Sequence, residues 1–141
     1  MTEPTESIDG AEPTSTTDSG LDSTVLAALS YVLGFVTGLV VYLVERDDEY
    51  VRFHAAQSMT VFGLLFLASV ALTVIQTVAL GVLFVDVSTF VVGSIVSLVL
   101  SLVGIALWLG GIALWLYLIV RAYQGKTPRI PVAAGLADRL V

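Results

Sequence analysis

Three long stretches without a formal charge divide this chain. Val25 to Val44 is 20 residues, Ala55 to Val85 is 31, and Phe90 to Val120 is another 31. Short polar clusters separate them: Glu45-Arg46-Asp47-Asp48-Glu49 after the first, Asp86-Val87-Ser88-Thr89 after the second, and Arg121 after the third. At 1.5 Å per residue, a twenty-residue helix covers about 30 Å, the thickness of a bilayer's hydrocarbon core. The pattern predicts an all-α membrane protein with three transmembrane helices, at about 24–45, 50–84 and 88–123. Helices two and three, joined by a tight turn, form a long hairpin. Their excess length calls for tilt, bending or projection past the lipid, and Gly104 and Gly110-Gly111 are the candidate bend points.

End signals agree with this division. Asp22 or Ser23 is a candidate N-cap for helix one, and Asp86 or Ser88 for helix three. Gly125 supplies a left-handed stop, Pro128 confirms it, and Pro131 opens a last segment with room for one or two helical turns. The membrane domain is thus read as 23–141, with 124–141 as its C-terminal segment. Residues 1–22 are rich in Thr, Ser, Glu, Asp, Pro and Gly, with only Ile8 and Leu21 as large apolar side chains. Such a segment cannot offset its ordering entropy and is predicted to be a disordered acidic tail.

Composition strengthens the membrane reading. Apolar residues make up 57% and charged residues 13%, against about 25% charged in soluble domains. The net charge of −6 is unevenly placed, because Glu3, Glu6, Asp9, Glu12, Asp18 and Asp22 carry six of the acids with no base among them. Nucleic-acid binding needs clustered Lys and Arg and is excluded as a function class. With no cysteine, neither a disulfide framework nor a thiolate metal site is available.

The bases give an orientation. Arg46 and Arg52 lie between helices one and two, and Arg121, Lys126, Arg129 and Arg139 follow helix three. Three crossings put both groups on one side. Since cytoplasmic flanks carry the excess of Lys and Arg, the sequence predicts a multi-pass cell-membrane protein with its N-terminus outside and its C-terminus cytoplasmic.

Candidate chemistry concentrates at the start of helix two, in Tyr50-Val51-Arg52-Phe53-His54-Ala55-Ala56-Gln57-Ser58. On a helix His54, Gln57 and Ser58 share a face. They cannot all point at lipid without leaving donors unpaired. Two readings follow: a partner-binding or gating patch, or a polar clasp that closes the cytoplasmic end of the bundle. Gly34 and Gly38 form a Gly-x-x-x-Gly pair suited either to a homodimer face or to an internal helix contact. Ser69, Thr73 and Gln76 on helix two, and Gly93, Ser97, Ser101 and Gly104 on helix three, form stripes that fit a pore lining or helix packing. Trp115, Tyr117 and Tyr123 read as interfacial anchors, and Trp108 as lipid-facing or packed on helix one. Between Phe53 and Val120 the only charged residue is Asp86. Proton-coupled transport and intramembrane hydrolysis usually need an ionisable or nucleophilic group at depth. A non-enzyme without metal or cofactor is therefore expected.

Two segments carry a resemblance. Arg52-Phe53-His54-Ala55-Ala56-Gln57-Ser58 resembles the Arg-Phe-His-Ala-x-Gln-Ser signature of a prokaryotic family of small membrane proteins of undefined function. Ala122-Tyr123-Gln124-Gly125-Lys126-Thr127-Pro128, with Pro131 and Gly135-Leu136-Ala137-Asp138, resembles that family's ending. The family is similar to the twenty-kilodalton Tic component of the chloroplast import machinery, which implies a channel-like or translocation role. The matched positions supply the candidate interaction patch: Arg52, Phe53, His54, Gln57, Ser58, Gly125, Lys126 and Pro131. The leading functional expectation is a non-catalytic interaction or assembly component in the lipid bilayer, contacting a membrane-protein partner or a second copy. The alternatives are an oligomeric channel-like, Tic-like component and a lipid-modifying role for His54.

Overall fold

The computed structural model of the chain describes residues 20–130 and 133–140. The acidic tail up to residue 19 and Pro131 lie outside the described residues. Among the described residues the structure is helical: α1 (Ser23–Leu29), α2 (Phe35–Val44), α3 (Glu49–Leu83), α4 (Phe90–Tyr123) and α5 (Ala133–Leu140), with a 3-10 turn at Val87–Thr89. α3 and α4 begin and end within two residues of the expected boundaries, because charged or turn-forming residues flank long uncharged runs. α4 runs unbroken through Gly104, Gly110 and Gly111.

The expectation of a single helix at 24–45 is corrected. Residues 30–34 form turns between α1 and α2. Gly34 has φ 62° and ψ −128°, a conformation no right-handed helix contains and L side chains rarely adopt. The Ser30 hydroxyl donates to the Ala27 carbonyl at 2.5 Å, so the side chain competes for an acceptor of the helix just where it stops. At 7 and 10 residues, α1 and α2 measure about 10 and 15 Å, each short of a full crossing. α3 and α4 are the two described helices long and apolar enough to span a membrane. The expected caps also differ: neither the Asp22 nor the Asp86 side chain bonds a helix N-terminus. Their carbonyls serve instead, accepting from the Leu26 and Thr89 amides.

The chain divides into two compact units, Met1–Gly63 with Leu114–Val141, and Leu64–Ala113. In the second unit, α3 and α4 run antiparallel. Leu72 lies 3.5 Å from where a Gly104 Cβ would sit, and Leu65 is 3.9 Å from that of Gly111. Nearer the turn, a Cβ on Gly93 would meet Leu83 and the Phe84 ring at 3.0 Å. The Thr89 hydroxyl closes α3 by donating to the Leu83 carbonyl at 2.7 Å. Gln76 reaches Ser101 at 3.3 Å, while the Ser69, Thr73 and Thr77 hydroxyls donate to the carbonyl four residues back, each at 2.8 Å. Those three hydroxyls are thus spent on their own helix. Only 11% of the apolar window of the first long helix and 6% of the second is buried. So broad an exposed apolar surface suits a lipid environment and no aqueous one.

Apart from Gly93, every buried residue among those described lies in the first unit, within 23–61 or 118–137. Its apolar centre is Phe53, Ala56 and Ala137, flanked by Tyr42 and Met59. The glycine pair serves an internal contact. A Cβ on Gly38 would stand 2.9 Å from the Ala55 carbonyl oxygen and 3.0 Å from Ser58 Cβ, and one on Gly34 would stand 3.2 Å from Phe62. α2 therefore packs backbone-close on the start of α3, antiparallel to it.

Candidate functional site

The polar residues at the start of α3 share one face, as their spacing dictates, and the first unit folds around that face. His54, Gln57 and Ser58 are fully buried. His54 Nε2 lies 3.0 Å from the Lys126 carbonyl oxygen, and Nδ1 lies 2.9 Å from the Tyr31 hydroxyl. A carbonyl can only accept, so the proton belongs on Nε2, leaving Nδ1 to accept from Tyr31. Tyr31 in turn accepts from Gln57 Nε2 at 3.2 Å. The second Gln57 amide hydrogen goes to the Pro128 carbonyl at 3.0 Å, and Gln57 Oε1 accepts from the Ile130 amide at 3.4 Å. Neutral imidazole and one primary amide thus satisfy a closed set of donors and acceptors, which burial requires. Tyr31, Tyr50 and Phe53 surround the imidazole edge-on, with ring centroids 5.7, 4.7 and 5.6 Å away.

The acceptors come from a strap that follows α4. Gly125, at φ 74°, turns the chain out of the helix. Its amide bonds the Ala122 carbonyl at 3.2 Å and the Lys126 amide bonds the Arg121 carbonyl at 3.0 Å, the paired closure that a left-handed glycine allows. Residues 126–130 then pass over His54 and Gln57 with their main chain toward the cluster. Tyr50 adds a bond from its hydroxyl to the Ala122 carbonyl at 2.5 Å.

A second group of donors serves the break between α1 and α2. The Ser58 hydroxyl lies 2.7 Å from the Ser30 carbonyl oxygen and 2.9 Å from that of Gly34, one hydrogen shared between two acceptors. Thr37 Oγ1 accepts from the Leu33 amide at 3.1 Å and donates to the Ser30 carbonyl at 3.0 Å. Trp115 Nε1 donates to the Tyr31 carbonyl at 2.7 Å. Trp115, expected as an interfacial anchor, is thereby committed to an internal bond.

The other expected site residues divide by exposure. Phe53 is buried, with the Arg129 guanidinium 5.5 Å from its ring centre. Arg52 sits over the Tyr42 ring at 4.4 Å and donates to the Tyr42 and Glu45 carbonyls at 3.4 and 3.3 Å, closing the end of α2. Lys126 contributes its carbonyl inward, while the residue itself is exposed. Arg129 pairs with Asp138 of α5, and the Tyr42 hydroxyl donates to the Leu140 carbonyl at the end of α5. Sequence reasoning placed Tyr50 in the candidate cluster but missed Tyr31 and Trp115 as members of the network. The signal for these two was an aromatic with a polar tip in an apolar run, which needs a partner when buried. Among the described residues, no three His, Asp or Glu side chains gather as a metal site.

Comparisons with known proteins cover most of this architecture. A family model described as the magnetosome magnetite crystal formation protein family matches residues 21–137. One UPF0132 membrane protein of Methanocaldococcus jannaschii is 41% identical over 59 residues, 42% of this chain and 54% of that relative, so the aligned part spans about half the relative's length. A second from the same organism is 29% identical over 122 residues, 85% of this chain and 71% of the relative. A UPF0132 membrane protein of Archaeoglobus fulgidus is 28% identical over 117 residues, 83% of this chain and 93% of the relative. No solved structure matches. These relatives agree with the expected prokaryotic membrane family, while the likeness to the Tic component draws no support from them.

Proposed function

The chain belongs to the magnetosome magnetite crystal formation protein family, and on that premise we propose that it is a non-catalytic membrane component that acts in assembly through protein contacts. One observation carries the reading. The imidazole, amide and hydroxyl groups able to do chemistry are buried and bonded to the chain's own backbone. The same unit presents outward the bases Arg46, Lys126 and Arg139 and the acids Asp47 and Glu49, with apolar side chains such as Leu39, Leu43, Leu136 and Leu140. A surface that mixes charged and apolar side chains suits contact with protein partners at a membrane. The cluster is then the clasp that fixes the surface, and Arg52 and Lys126 are the members of the expected patch nearest to contact. The family's name links it with magnetite crystal formation, and an assembly role at such a membrane fits the proposal.

The same bases support a cytoplasmic C-terminus. The expected outside N-terminus depends on the first apolar run crossing the bilayer, and the structure breaks that run.

Photo-crosslinkers placed at Arg46, Lys126 and Arg139 in native membranes test the function. The proposal expects discrete adducts, either with a second copy or with a defined membrane protein, from at least one position. Absence of any adduct from all three in a correctly folded, membrane-inserted protein overturns it.

A further inference from the structure

We propose that the first apolar run, Val25–Val44, is a re-entrant helical hairpin that enters the membrane and leaves on the same side, so that both chain termini face one compartment.

The argument lies within the first unit. α2 pairs with α3 in a regular antiparallel series: Gly34 against Phe62, Gly38 against Ala55 and Ser58, Tyr42 against Arg52. Gly34 is the deep end of that series, 13 positions into a helix that starts at Glu49, or about 20 Å along its axis. Had the chain continued straight upstream, Ser30 and Tyr31 would lie beside residues beyond Phe62. Instead the Ser30 carbonyl is held by Ser58, and the Tyr31 side chain reaches His54 and Gln57, back toward the start of α3. Along α1, Ser23, Leu26 and Ala27, with Ser30 after it, form one helical face buried from its first residue to its last. On α3 no residue after Val61 is buried. Any cover that α3 gives that face therefore comes from its Glu49 end. α1 turns back toward the side where α2 ends.

Membrane physics asks a specific condition of such a turn. Non-helical backbone at depth persists only where protein groups satisfy it, because lipid offers no hydrogen bonds. Named side chains meet that condition at several of the turn's backbone groups. Ser58 and Thr37 serve the Ser30 and Gly34 carbonyls, Trp115 serves Tyr31, and Thr37 receives the Leu33 amide. Gly34 supplies the left-handed residue that the reversal needs.

The charges fit equally well. With a re-entrant first run and crossings only by α3 and α4, the N-terminal tail, the 45–48 loop and the C-terminal segment share one side. All six bases still fall there, and the opposite side keeps the Asp86 turn. The six tail acids join the bases' side, which the orientation rule scarcely counts.

The chain has no native cysteine, so single thiols read the topology directly. Asp22→Cys, Asp47→Cys and Ser88→Cys are probed in intact cells with an impermeant maleimide, then again after permeabilisation. The expected result is that positions 22 and 47 behave alike and opposite to 88. Position 22 behaving like 88 overturns the proposal. Should position 22 stay unlabelled under both conditions, Thr16→Cys in the tail decides by the same rule. The comparison is relative, so it stands whichever compartment holds the termini and whatever the assembly role proves to be.

Discussion

The Tyr31 hydroxyl and His54 Nδ1, 23 residues apart in sequence, lie 2.9 Å apart in the buried centre of the first unit. That pair joins the broken first run to α3, and it is a direct target. Tyr31→Phe removes the donor to His54 and the acceptor for Gln57 while keeping the ring. A buried polar group left without its partner costs about 1–3 kcal/mol. Thermal unfolding in detergent should show the loss. Tyr117→Phe, at an exposed position, should change stability by less than about 0.5 kcal/mol.

Two serines separate a bond across elements from a bond within one helix. Ser58→Ala strips the hydroxyl shared by the Ser30 and Gly34 carbonyls and should destabilise by about 1–2 kcal/mol. Ser69→Ala loses only a bond to the carbonyl four residues earlier, whose helical partner remains, and should stay within about 0.5 kcal/mol. Equal effects from the two in parallel unfolding series would contradict the role given to Ser58.

Long helices were legible in the sequence where local composition decides them. α3 and α4 follow from uncharged runs bounded by Glu49, Asp86 and Arg121. The break at residues 30–34 was not, because it is decided by partners distant in sequence. Gly34 reads equally as a small packing residue and as a left-handed turn, and the distant Ser58 and Trp115 join Thr37 in satisfying the turn. The site was half legible. His54, Gln57 and Ser58 were visible as polar residues on one face, but apart from the Tyr31 hydroxyl their acceptors are main-chain atoms, which have no letter in a sequence.

Gly38 tests the internal helix contact against a dimer face. A methyl group there would stand 2.9 Å from the Ala55 carbonyl oxygen. Gly38→Ala should destabilise by about 1–3 kcal/mol through overpacking. Gly63→Ala, with open space around its position, should be neutral or slightly stabilising. The oligomeric mass in detergent should not change with Gly38→Ala if the fold survives. A loss of oligomers with an unchanged melting temperature would instead assign the glycine to a contact between copies.

A stop codon after Ile130 removes α5 and with it Ala137, the Asp138 partner of Arg129 and the Leu140 carbonyl bonded by Tyr42. Phe53 and Ala56 lose cover. The truncated chain should melt lower by at least about 2 kcal/mol, the scale of exposing one large apolar side chain. It should also be cut faster by protease near Lys126 and Arg129.

The last turn of α4 and the strap after it, from Ala122 to Ile130, offer the cluster four main-chain atoms, three carbonyl oxygens and one amide. Recognition of that kind reads the path of the chain and ignores its side groups. Inheritance can therefore rewrite the strap's letters, provided Gly125 still turns it and Arg129 keeps its contacts with Phe53 and Asp138, whereas each letter on the α3 side answers to a fixed acceptor. The two halves of one site should age at different rates.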